Sequence, residues 1–66
     1  MEYIIEKAID NNVDNGAKVL KDEHGNALTF KSTQEARQWL MANDKEFWII
    51  PIVLLTRYYN IKPMSN

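Results

Sequence analysis

Apolar and polar residues alternate near the start of the chain with the two-residue period of a β-strand. Tyr3, Ile5 and Ile9 share one face, which is the predicted core side of a strand over residues 3–9. Lys7 interrupts this apolar face. The residues that follow are rich in turn formers and end in an Asn-Gly pair, which is a strong turn signal. We therefore predict that a loop follows this strand.

A β-hairpin is predicted from residues 17–21 and 26–31, which flank the turn sequence Asp-Glu-His-Gly at residues 22–25. The aspartate favours the start of a type I turn, and the glycine can adopt the left-handed conformation that closes it. Leu28 and Phe30 lie on one face of the second strand. We expect both side chains in the core.

A helix is predicted over residues 33–43, because a capping box precedes an apolar stripe of helical period. The hydroxyl of Ser32 can accept a hydrogen bond from the N–H of Glu35, whose carboxylate can reach back to the N–H of Ser32. The stripe consists of Ala36, Trp39 and Leu40. We expect this stripe to pack against the apolar face of the hairpin.

The longest apolar run covers residues 47–55 and contains no charged side chain. Its β-branched and aromatic residues favour a strand, but Pro51 cannot donate a hydrogen bond to a β-ladder. One interpretation is a strand through about Val53. The other is a strand over residues 46–50 followed by a short helix that starts at Pro51. We expect residues 62–66 to form a frayed tail.

These elements predict an α+β fold in the order β-β-β-α-β, with a small antiparallel sheet and one helix packed on one face. The chain has 66 residues, which predicts a single small domain over residues 1–66. One helix cannot cover both faces of a sheet. The last strand would therefore leave an apolar face uncovered, unless the C-terminal segment folds back over it as a helix.

An uncovered apolar and aromatic face predicts a surface that binds another protein. Trp, Tyr and Arg are the residue types that most often anchor protein interfaces. The predicted protein-binding residues are Trp48, Ile50, Ile52, Arg57, Tyr58 and Tyr59. The predicted partner is a protein target, a second copy of the chain in a homodimer, or both.

The charge pattern argues against nucleic acid and membrane as partners. Eight Lys and Arg residues oppose nine Asp and Glu residues, they are scattered along the chain, and the net charge is −1. Non-specific nucleic-acid binding needs several phosphates to be neutralised. The apolar run is about half of the ~20 residues that span a bilayer. The alternative hypothesis is a small nucleic-acid-binding module in which bases stack on the C-terminal aromatic and basic residues Arg57, Tyr58, Tyr59 and Lys62.

The sequence carries no signature of catalysis, of a metal site or of a cofactor. His24 is the sole histidine and there is no cysteine, so the ligands of a transition-metal site are missing. Two glycines are too few for a phosphate-binding loop. We therefore predict a protein that is not an enzyme and takes no cofactor, metal or small-molecule substrate. The lack of cysteine is compatible with the predicted cytoplasmic location.

Residues 18–40 combine a hairpin with an acidic-Gly turn, a strand that ends in Phe, and a Ser/Thr-capped helix with a Glu-Ala step. Together with the final apolar segment, this pattern resembles that of small uncharacterised phage and bacterial proteins. The resemblance implies a small accessory protein, for example a phage-encoded inhibitor or modulator of a host protein that acts in the host cytoplasm. It implies no catalytic residue.

Overall fold

Three antiparallel strands and an 11-residue helix make up most of the regular structure in residues 1–64, which are the residues described by a computed structural model. In chain order the elements are β1 (Tyr3–Ala8), β2 (Ala17–Val19), α1 (Thr33–Asn43), α2 (Leu55–Tyr58) and β3 (Tyr59–Pro63). Short 3₁₀ helices lie at Ile9–Asn11, Val13–Asn15, Lys45–Trp48 and Ile52–Leu54. The α+β class and the antiparallel sheet are confirmed, but the order of elements differs from the predicted β-β-β-α-β.

Strand β1 is the centre of the sheet, whose strand order is β2-β1-β3. Ile5 pairs with Ile61 of β3 and is fully buried. Tyr3 and Ile9 of the predicted core face are only half-buried, whereas Ala8 on the opposite face is buried. The core therefore takes Ile5 from the predicted face and Ala8 from the other.

Helix α1 has the predicted bounds and packs with its predicted stripe. Ala36 and Leu40 are buried, and the Trp39 ring lies 6.1 Å from the ring of Phe30. Ser32 Oγ accepts a hydrogen bond from the N–H of Glu35 at 3.1 Å, as the capping box predicts. The return bond differs from the prediction, because the carboxylate of Glu35 accepts from the N–H of Lys31 and not from Ser32.

The predicted hairpin forms its turn but not its full second strand. Gly25 has φ of +86°, and its N–H donates to the carbonyl of Asp22 at 3.1 Å. Beyond the turn, the only strand-like pairing along residues 26–31 is at two isolated bridges. One of them joins Phe30 to Tyr3 of β1 through two backbone hydrogen bonds of 2.8 and 2.9 Å. Leu28 donates to the carbonyl of Leu20 and Phe30 bridges to β1, so residues 26–31 bond to two different segments.

No strand forms over residues 46–53, so both strand assignments for the apolar run are wrong. Only the helix predicted after Pro51 is confirmed in coarse form, as the 3₁₀ helix Ile52–Leu54 followed by α2. Phe47, Ile50 and Leu55 all pack against the core, whereas a strand would place Ile50 on the opposite face from the other two.

The last strand of the fold is β3, which lies further along the chain than predicted. It includes Lys62 and Pro63, so the prediction that these two residues belong to a frayed tail is wrong. Residues 65 and 66 of that predicted tail lie outside the described residues.

Candidate functional site

Four large apolar side chains are exposed within six consecutive residues. The exposed fractions are 64% for Trp48, 77% for Ile49, 82% for Ile52 and 78% for Val53. We call these four residues the 48–53 surface. Single exposed apolar residues are common on proteins, whereas large contiguous apolar patches are rare on monomers.

Neighbouring side chains of the same segment pack against the core and leave the 48–53 surface exposed to solvent. Phe47 and Ile50 pack against the core from the same segment. The Phe47 ring lies 5.7 Å from the ring of Tyr59, which is buried in the sheet. The segment is thus attached to the core on one side while its other side faces solvent.

Trp48 is held in place although most of its side chain is exposed. Its indole Nε1 donates a hydrogen bond of 2.8 Å to the backbone carbonyl of Met41. Met41 lies in the last turn of α1, where backbone carbonyls lack a partner within the helix. The ring of Trp48 also meets the ring of Phe47 edge-on, with 6.0 Å between the ring centres. A side chain fixed in this way loses little conformational freedom when it binds.

Charged groups lie outside the 48–53 surface. Residues 47–56 carry no formal charge, and the exposed residues Lys45 and Arg57 lie beyond its two ends. The two acidic residues nearest in sequence, Asp44 and Glu46, accept hydrogen bonds from Lys7 on the sheet. The segment that carries the surface is therefore uncharged, and a cationic residue lies within a few positions of each end in sequence.

A half-buried polar cluster anchors the start of this segment to the sheet. Lys7 Nζ lies 3.1 Å from Asp44 Oδ2 and 2.8 Å from Glu46 Oε1, and the side chains of Lys7 and Asp44 are only 13% and 10% exposed. The hydroxyl of Tyr59 donates to the same oxygen of Asp44 at 3.0 Å. Asp44 also accepts from the N–H of Glu46 and so begins the 3₁₀ helix before Trp48.

The pKa values of two members of this cluster are shifted. Burial, with a smaller contribution from the hydrogen bond to Asp44, raises the pKa of Tyr59 to about 12. Burial alone would lower the pKa of Lys7, but its hydrogen bonds to Glu46 and Asp44 outweigh that effect and raise it. Lys7 and Tyr59 therefore both keep the protons that they donate in the cluster at neutral pH.

The six predicted protein-binding residues do not lie on one surface. Trp48, Ile52 and Arg57 are exposed, but Ile50 and Tyr58 are half-buried against the core. Tyr59 is 6% exposed and belongs to the core itself. Trp48, Ile50 and Ile52 would share one face of a strand, and this grouping fails because residues 46–53 form no strand.

The structure adds Ile49 and Val53 to the exposed set, and neither is among the predicted protein-binding residues. The sequence did contain a usable signal. The partly buried apolar residues of this segment recur at the spacings of a helix and are, in order, Phe47, Ile50, Leu54, Leu55 and Tyr58. The residues between them then lie on the outer side.

The outer edge of β3 offers little to a partner that adds a strand. Met64 donates to the carbonyl of Glu2, so the alternating antiparallel pattern directs the backbone of Tyr59, Ile61 and Pro63 away from β1. The N–H of Tyr59 is already bonded to Leu55, and proline has no N–H. Few backbone groups therefore remain along this edge for pairing with another strand.

The sheet also carries two open depressions, of about 180 Å³ and 340 Å³. Arg57 and Tyr58 line the first, and Lys7 and Glu46, which bond to each other, line the second. In residues 1–64, no group of three or more His, Cys, Asp or Glu side chains is placed to hold a metal ion. The helices of this part of the chain are all too short or too polar to cross a membrane.

Comparison with protein families matches residues 3–64 to a family of unknown function, DUF8545. Comparison with curated proteins found no match, and neither did comparison with solved structures. The family match covers nearly the whole chain, including all the strands and helices and the whole 48–53 surface. The chain therefore belongs to the DUF8545 family of unknown function.

Proposed function

We propose that this protein is a non-enzymatic interaction module that binds a protein partner through the 48–53 surface. The observation that carries the proposal is the exposure of Trp48, Ile49, Ile52 and Val53, between 64% and 82%, on a segment without charge. Leaving these side chains in water forgoes roughly 25 cal/mol for each Å² of apolar surface that could be buried. A partner that covers them would recover this free energy.

The anchoring of Trp48 supports the same function. Tryptophan is a frequent anchor of protein interfaces, and its indole is already fixed on the carbonyl of Met41. Beneath it, the polar cluster of Lys7, Asp44 and Tyr59 holds the segment on the sheet. A binding surface on a fixed support pays little ordering entropy on association. The resemblance of residues 18–40 favours an inhibitor or modulator of a host protein as the form that this function takes.

The nucleic-acid hypothesis gains no support from the placement of its residues. Tyr59 is buried and its hydroxyl is bonded to Asp44, so its ring has no free face for a base. Lys62 Nζ lies 3.0 Å from the carboxylate of Glu6, which neutralises a cation that the hypothesis requires. Arg57 remains as the exposed basic residue of that group.

Site-specific photo-crosslinking in the native cells tests the proposed function. A photoreactive phenylalanine analogue replaces Ile49 in one variant and Val13, which is 48% exposed on a different loop, in the control. We expect protein adducts from position 49 and few from position 13. Equal adduct yields at the two positions, or none at position 49, would overturn the proposal.

A further inference from the structure

We infer that the occupant of the 48–53 surface is a second copy of this chain, bound about a two-fold axis so that the surface of each copy covers that of the other. This inference rests on the proposed function, because it names the partner of the same surface. In a two-fold contact each favourable interaction occurs twice, and a surface needs only to complement itself.

The area of the surface is sufficient for a dimer. The exposed parts of Trp48, Ile49, Ile52 and Val53 present on the order of 500 Å² per copy, at the upper end of the largest apolar patches on monomers. Two copies would then bury about 1,000 Å², which is near the lower limit for a specific interface. Met41 is 43% exposed and accepts the Trp48 hydrogen bond, so it extends the same area.

The charge pattern fits a second copy. Contact between two identical surfaces places like charges together wherever a charge lies near the axis. Residues 47–56 carry none, so this segment adds no such repulsion to the contact. Lys45 and Arg57 are at the ends of the segment, where solvent and salt screen them. Added salt should consequently leave self-association unchanged or strengthen it.

The small size of the core also favours a second copy as the partner. In residues 1–64 six residues are buried, two of which are alanines, whereas eight large apolar side chains are exposed. Domains of this length bury only about 60% of their unfolded surface and often depend on oligomerisation. A second copy is available wherever the chain is present, and it would cover four of these exposed side chains.

Sedimentation velocity on the purified full-length chain tests the inference, over concentrations from about 1 μM to about 1 mM. We expect the mass to rise from 7.7 kDa towards twice that value. Ile52→Asp places a charge in the contact and should raise the dissociation constant at least ~30-fold. Val13→Asp carries the same charge change outside the surface and should leave the constant within about twofold. Circular dichroism should show the same fold in all three proteins.

The outcomes separate this inference from the proposed function. A wild-type chain that stays monomeric up to about 1 mM overturns the second copy as occupant. Adducts with a different protein at position 49 would in that case still support the proposed function. Equal weakening by Ile52→Asp and Val13→Asp also overturns the inference, because it moves the contact away from the 48–53 surface. Self-association that weakens steeply between 50 and 500 mM salt overturns it as well, since it indicates an ionic contact.

Discussion

The indole Nε1 of Trp48 donates a hydrogen bond of 2.8 Å to the backbone carbonyl of Met41, which joins the 48–53 surface to the last turn of α1. The bond satisfies a helix C-terminal carbonyl that would otherwise depend on water. It also fixes the most exposed aromatic side chain of the segment. The position of the Trp48 ring on the 48–53 surface and the stability of the C-terminal end of α1 therefore depend on the same hydrogen bond.

Trp48→Phe removes this hydrogen bond and keeps an aromatic ring. We expect the fold to remain and the free energy of unfolding to fall by about 1 kcal/mol, which urea titration measures. In the wild type, the indole N–H of Trp48 should exchange with solvent more slowly than a free indole, although 64% of the residue is exposed. Trp39→Phe assigns the two indole signals in the NMR spectrum. Exchange of the Trp48 indole at the rate of a free indole would contradict the bond.

Lys7→Met removes the cation that two carboxylates share. Asp44, whose side chain is 10% exposed, would keep its charge with only the Tyr59 hydroxyl and backbone groups as partners. We expect a loss of about 2 kcal/mol in unfolding free energy, since a buried charge is left without its counter-ion.

Lys18→Met is the matched control for this substitution, because Lys18 pairs with Lys7 across β1 and β2 but is exposed. Its effect should stay within about 0.5 kcal/mol. Equal losses in the two variants would show that the ion pairs of Lys7 contribute nothing specific.

The helix α1 could be predicted from sequence because all of its signals are local. The cap at Ser32, the Glu three residues later and the apolar stripe of Ala36, Trp39 and Leu40 are contained within nine residues. The contact of Phe30 with Trp39 then follows from the stripe, and the two rings lie 6.1 Å apart. Local signals of this kind decide a structure when tertiary contacts agree with them.

The apolar run could not be assigned in the same way because two signals disagreed. Its β-branched residues favoured a strand, while Pro51 favoured a break in the strand or the start of a helix. Tertiary contacts favour the helical turns, because Asp44 caps this segment and is itself bonded to Lys7 of β1. Lys7 and Asp44 are 37 residues apart, and no local pattern reveals that pair. The sequence therefore predicts an exposed apolar surface only in outline. Which residues belong to it depends on the tertiary structure.

Ser32→Ala removes the side-chain cap of α1. Ser32 Oγ accepts from the N–H of Glu35 at 3.1 Å, and the alanine would leave that N–H to water. We expect unfolding free energy to fall by about 1 kcal/mol in a urea titration. Thr33→Ala serves as the control, because Thr33 is exposed at the first helical position, and its effect should be smaller. A Ser32→Ala protein as stable as the wild type would show that the cap contributes nothing.

Alkaline pH should destabilise the protein through Tyr59. Its pKa is about 12 in the folded protein against 10.0 for an ordinary tyrosine, so above pH 10 the unfolded chain releases a proton that the folded chain retains. The stabilisation from Tyr59 is thus fully present below pH 10 and is lost progressively between pH 10 and 12, by up to about 2 kcal/mol. The pKa of Lys7 is also raised, so the stabilising effect of Lys7 is present below pH 10.5 and is lost above it.

Urea midpoints at pH 8, 10 and 11 measure the loss in the wild type and in Tyr59→Phe. We expect Tyr59→Phe to be about 1 kcal/mol less stable at pH 8, because it lacks the bond to Asp44, and to lose less stability between pH 8 and 11. Parallel losses in the two proteins would mean that Tyr59 does not hold its proton in the folded state.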